Sequence, residues 1–147
     1  MSDRVLRGAI ILELWTAARY GDEVSGRRLR AVGVEPSEYG FLSVVGSLQP
    51  VTRTGIARAT GLRRTTVRDA VGRLIERGQV VESADARDRR ATLLTLTPAG
   101  QELFERGVVE FRKFLASLDE ALDGKLDELE DAVRTVRVAL EQLADGS

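Results

Sequence analysis

Residues 87–90 read Arg-Asp-Arg-Arg, and Arg63, Arg64 and Arg68 precede them within LRRTTVRDAVGRLIERG. A guanidinium stays charged and offers five N–H donors in a planar fork, a shape that suits phosphate oxygens and guanine edges. Thr65 and Thr66 lie between these arginines, and Thr52, Arg53 and Arg73 flank them, adding hydroxyls and further positive charge. The chemistry this set offers is recognition of a polyanion. Bond-breaking chemistry has few candidates. The chain has no histidine and no cysteine, so the commonest general base, thiolate nucleophiles and the usual nitrogen and sulfur metal ligands are all missing. Its only lysines are Lys113 and Lys125, both in an acidic region. The expectation is a protein that is not an enzyme and uses no cofactor and no metal.

Charge distribution supports a localised footprint. The net charge is −1 over 147 residues. Residues 1–51 carry 6 basic and 6 acidic side chains, residues 52–100 carry 10 and 5, and residues 101–147 carry 6 and 12. A basic middle beside an acidic C-terminal part is the pattern of a patch for a polyanion, although a chance fluctuation over a solvated surface gives the same counts. No apolar run approaches the ~18 residues of a membrane span. The start, MSDRVLRGAI, lacks the layout of a secretory signal, which predicts a cytoplasmic protein.

These side chains need elements to hold them. Residues 4–20 read as a helix that is apolar on more than one face (Leu6, Ile10, Ile11, Leu14, Trp15, Ala18). Residues 21–36 hold three glycines and a proline and read as a connection, with room for one short helical turn. Pro36-Ser37 starts a helix that is apolar at Phe41, Leu42, Val44, Val45 and Leu48. After Pro50, Thr52 is the expected N-cap of a short helix that Gly61 ends. In the next helix Val67, Val71, Leu74 and Ile75 form one buried stripe, and Arg63, Arg64, Thr65, Thr66, Arg68 and Arg73 lie off it. Gly78 ends that helix.

VVES and ATLLTLT are strand-like runs on either side of the charged loop, which makes a hairpin. Thr97 and Pro98 then start a helix that Gly124 interrupts. Leu122, Leu126, Leu129, Val133, Val136, Leu140 and Leu143 follow at alternating steps of 4 and 3. That repeat favours a narrow seam against another helix, either in a second chain or within one bundle.

Two helices joined at Gly61, with arginines outward on the second and a charged hairpin after it, describe a winged helix-turn-helix. The stretches GIARATGLRRTTVRDAVGRLIERGQVV, DRR and LTLTPAG resemble the MarR family of transcriptional regulators over residues 37–105. The resemblance implies a mainly α (α+β) fold in one domain. Residues 1–36 would be a dimerisation helix with its connection, 37–97 the DNA-binding lobe and 98–147 the C-terminal dimerisation helices. It also implies a homodimeric repressor on a pseudo-palindromic operator of double-stranded DNA, with Arg90 entering the minor groove and Asp88 holding the wing. Arg87 and Arg89 join the candidate DNA-binding set, with pairing to Asp85 and Asp88 as the plainer reading. Relatives often differ at Arg68-Asp69, at Gly72 and at Glu82-Ser83, so base preference does not carry over.

A small aromatic or phenolic effector is a further expectation from the resemblance, with Trp15, Arg19, Tyr20 and Tyr39 as candidate pocket residues. For Trp15 and Tyr39 the plainer reading is ordinary core. The competing functions are a ligand-independent architectural DNA-binding protein and a winged-helix module for protein interaction. Steep salt dependence of binding separates the second of these from a DNA binder.

Overall fold

The computed structural model describes residues 9–146. The order is α1 (Ile10–Ala31), α2 (Pro36–Leu48), α3 (Arg53–Thr60), α4 (Arg64–Glu76), β1 (Val80–Ala84), β2 (Thr92–Leu96), α5 (Pro98–Ala121) and α6 (Leu126–Asp145). The mainly helical winged arrangement expected from the sequence is present.

The first helix differs from its sequence reading. Residues 4–8 of the expected span lie outside the described residues, and the helix continues to Ala31 through the stretch read as a connection. Glycine costs an isolated helix roughly 1 kcal/mol, a weak preference that packing overrides. Here Gly26 and Leu29 are buried, and Glu23 pairs with both Arg19 and Arg27 one turn away on either side. The break comes instead at Val32 and Gly33.

Helices α2, α3 and α4 enclose the core with β2. Leu42, Val45, Ile56, Val67, Val71, Leu74 and Leu94 are each less than 2% exposed or at that value. Leu42, Val45, Val67, Val71 and Leu74 belong to the apolar positions that the helical spacing marks, and Ile56, Ala70 and Leu94 join them in the core. The strands pair antiparallel, with Val80 opposite Leu96 and Ala84 opposite Thr92. Val51 adds a bridge to Leu94, so β2 is tied to the residues that lead into α3.

The described residues form two compact units that divide between Glu110 and Phe111, inside α5. In the first unit the start of α5 closes on α2. A Cβ added to Gly107 would stand 1.9 Å from Cε2 of Tyr39, so only glycine permits this approach. In the second unit Gly124, at φ 74°, ends the α5 turn, and the Asp119 carboxylate accepts the Leu126 N–H at 3.0 Å to cap α6. Leu122 falls in this turn, so the helical part of the heptad repeat begins at Leu126. No residue of α6 is buried in the single chain.

Candidate nucleic-acid interface

Helix α3 starts where Thr52 accepts the Gly55 N–H on its hydroxyl at 3.0 Å. It stops at Gly61, whose φ of 70° is a left-handed conformation that costs other residues energy. The chain turns there and re-enters helix after Arg63. Burial of Val67, Ala70, Val71 and Leu74 fixes the rotation of α4. Arg64, Thr65, Thr66, Arg68 and Arg73 are therefore exposed, as is Arg63 just before the first turn. Among the described residues only Arg68 of this group has an ion pair, a 3.8 Å contact with Asp69. The N-terminal part of α4 thus presents two arginines, two threonines and a third arginine to solvent. That is the arrangement a recognition helix needs to place donors and small side chains against base edges.

The wing is built from its root outward. The Thr97 hydroxyl donates to the Gly78 carbonyl at 2.6 Å, and the Leu96 N–H donates to Oε1 of Gln49 at 2.9 Å. Toward the tip, the Asp85 carboxylate accepts the Arg87 N–H at 2.9 Å, and the Asp88 carboxylate accepts the Arg90 N–H at 3.0 Å. These aspartates shape the turn through backbone contacts. Among the described residues, Arg87, Arg89 and Arg90 are exposed and carry no ion pair.

Between the start of α3 and the wing lies a cleft of about 360 Å³ lined by Thr52, Arg53, Thr54, Asp88, Arg90, Ala91 and Thr92. It brings Arg53 and Arg90 together from positions far apart in sequence. The Arg53 guanidinium also donates to the Glu82 carboxylate on β1. Arg53 is therefore a candidate that the structure pairs rather than leaves free. Glu82, Thr54 and Thr92 were not singled out as site residues. In the sequence Glu82 is marked only as part of the Glu82-Ser83 pair at which relatives often differ, and its pairing with Arg53 spans 29 positions, beyond any local spacing signal.

The four candidate effector residues do not share one environment. Trp15 is 71% exposed and Tyr20 54% exposed on α1. The Arg19 guanidinium lies 4.0 Å from the centre of the Tyr20 ring, a cation–π contact. Tyr39 is part of the core. Its hydroxyl faces the Phe104 carbonyl at 3.5 Å, and burial raises its pKa above the usual 10.0. Trp15, Arg19 and Tyr20 thus stay on the surface of α1, while Tyr39 is packed inside. None of the four lines the cleft at the wing.

No group of three or more acidic, histidine or cysteine side chains among the described residues could hold a metal ion. No helix among them is long and apolar enough to cross a membrane.

The model of the MarR family matches residues 32–91. A proposed transcriptional regulatory protein for the hcr operon of Thauera aromatica is 31% identical over 98 residues, 64% of this chain and 59% of that protein. The chain thus spans less than two thirds of that relative's length. A candidate MarR-family transcriptional regulator from Listeria monocytogenes, complexed with 26mer DNA, superposes with a TM-score of 0.74 at 22% identity over 99% of this chain and 91% of its own. Staphylococcus aureus MarR, in complex with salicylate and kanamycin, superposes with a TM-score of 0.73 at 20% identity over 98% and 96%. These two likenesses are of fold. The family match is confined to residues 32–91, the stretch that holds the helix-turn-helix and the wing tip, so over that stretch the chain is similar to the MarR family, and over its length it shares the winged-helix fold of these structures.

Proposed function

We propose that this chain is a transcriptional repressor that binds a pseudo-palindromic operator as a homodimer. The observation that carries the reading is the set of exposed arginines at the start of α4, along it and on the wing that have no ion pair among the described residues: Arg63, Arg64, Arg73, Arg87, Arg89 and Arg90. Arg68 and the threonines at 65 and 66 complete the base-reading face. Phosphate neutralisation by such side chains supplies affinity, and the face of α4 supplies preference. The Listeria relative bound to 26mer DNA supports the same use of the fold.

The dimer is supported by apolar surface that one chain leaves open. On α1, Ile10, Leu12 and Trp15 are more than half exposed, and on α6 Val133 is 53% and Leu143 70% exposed. A second copy covers surfaces of this kind. Release of DNA by a small aromatic acid completes the proposal. It is supported by the salicylate complex of the Staphylococcus protein and by the exposed Trp15, Arg19 and Tyr20 on α1.

Selection from random duplexes, followed by footprinting, tests the reading. The expected product is an inverted repeat with half-sites about one helical turn apart, ~34–36 Å. Binding that shows no preference among sequences would make the protein architectural. Binding only to protein, with no steep salt dependence on DNA, would make it an interaction module.

A further inference from the structure

We infer that Glu82 is a built-in brake on DNA binding: it holds the Arg53 guanidinium in the free protein, and a backbone phosphate displaces it. The inference rests on the DNA-binding reading and adds a residue that sets its strength.

Arg53 is the first residue of α3, and Glu82 lies in the middle of β1. Their side chains are in contact while remaining 33% and 42% exposed. Arg53 lines the same cleft as Arg90, whose own guanidinium has no ion pair among the described residues. A phosphate that approaches Arg90 at the wing therefore meets Arg53 as its neighbour. The other wing carboxylates are not competitors of the same kind, because Asp85 and Asp88 accept backbone N–H groups. Glu82 is the wing carboxylate that occupies a guanidinium.

The balance favours exchange. A partly exposed ion pair contributes little and is screened by salt. A DNA phosphate brings a denser negative field, and its neutralisation releases condensed counterions. Binding thus replaces the Arg53–Glu82 contact with an Arg53–phosphate contact and leaves Glu82 facing water. Wild-type affinity is lower by what the broken pair contributed, which for an exposed pair is at most about fivefold.

The test is a double-mutant cycle on a random-sequence 30-base-pair duplex, about the length of one full site, since phosphate contacts do not depend on sequence. Glu82→Gln should bind up to about fivefold tighter than wild type at low salt. In an Arg53→Ala background the same change should alter affinity by less than about twofold, because the guanidinium it frees is gone. Arg53→Gln repeats the cycle with a longer polar side chain, and thermal unfolding confirms that each variant is folded. An equal gain in both backgrounds overturns the brake, because Glu82 would then act by general repulsion. Weaker binding by Glu82→Gln also overturns it, because the pair would then be a strut for the wing. Failure of the wild-type protein to bind any duplex at low salt removes the DNA-binding reading and the brake with it, a result distinct from the other two.

Discussion

The Asp88 carboxylate accepts the backbone N–H of Arg90 at 3.0 Å, while the Arg90 guanidinium, two residues on, lines the cleft beside Arg53. One residue therefore sets the shape of the wing tip, and the other remains exposed at the cleft. The plainer reading, in which Asp85 and Asp88 neutralise the wing arginines, has no ion pair to support it among the described residues.

Arg90→Ala should weaken operator binding, and most on sites with A·T-rich flanks, where a narrow minor groove attracts guanidinium. The slope of log affinity against log salt should become shallower by ~1 per wing. Arg90→Lys should rescue only part of the loss, since a hydrated ammonium fits a narrow groove less well. Asp88→Ala should loosen the turn and weaken binding while leaving Arg90 in place. Titrations at three salt concentrations check these outcomes, and an unchanged slope for Arg90→Ala would remove it from the interface.

The recognition-helix arginines should separate by role. A side chain bidentate to guanine contributes ~1–3 kcal/mol of discrimination. Among Arg63→Ala, Arg64→Ala and Arg68→Ala, at least one should lose about that much and relax preference at a single base pair. Equal loss on every sequence would mark a phosphate contact instead. Competition binding against single-base operator variants makes the distinction. If none of the three loses affinity, α4 is not the reading helix.

Assembly should fail when charge enters the α6 seam. Leu129 is 41% exposed in the single chain, so an aspartate there disturbs the fold of one chain little. Buried between two chains, an unpaired carboxylate is costly. Leu129→Asp with Val136→Asp should therefore give a monomer, or a chain that no longer folds if folding and assembly are coupled. Sedimentation that shows an unchanged dimer would assign the heptad repeat another partner.

Stability should depend on Tyr39 in alkaline solution. Burial holds its phenol neutral above the ordinary pKa of 10.0. The unfolded chain ionises first, so this contribution is constant below pH 10 and is lost as pH rises toward the raised folded value. Relative to wild type, Tyr39→Phe should flatten the fall in denaturation midpoint above pH 10. Gly107→Ala forces a methyl into the Tyr39 ring and should cost ~1–3 kcal/mol or more. Urea unfolding measures both, and a neutral Gly107→Ala would show that α5 can shift on the lobe.

Much of the molecule follows from local chemistry. Thr52, Gly61, Gly78, Thr97 and Pro98 punctuate the chain where the helices and strands begin and end. The apolar stripe through Val67 and Leu74 determines which way the arginines of α4 point. Caps, turns and helical periodicity act over a few residues, so they are written in adjacent letters. The extent of α1 was not legible, because burial of Gly26 and Leu29 overrides what glycine does in isolation. Nor was the partition of the aromatic residues. Tyr39 packs on Gly107, while Trp15 and Tyr20 stay on the surface, and composition does not distinguish a core ring from an exposed one. The tertiary structure also decided which wing charges are free. Asp85 and Asp88 are drawn to backbone N–H groups two residues away, and Glu82 reaches Arg53 across 29 residues. Each outcome depends on distances between elements, which exist only once the core around Val45, Ile56 and Leu94 has brought the helices and the wing together.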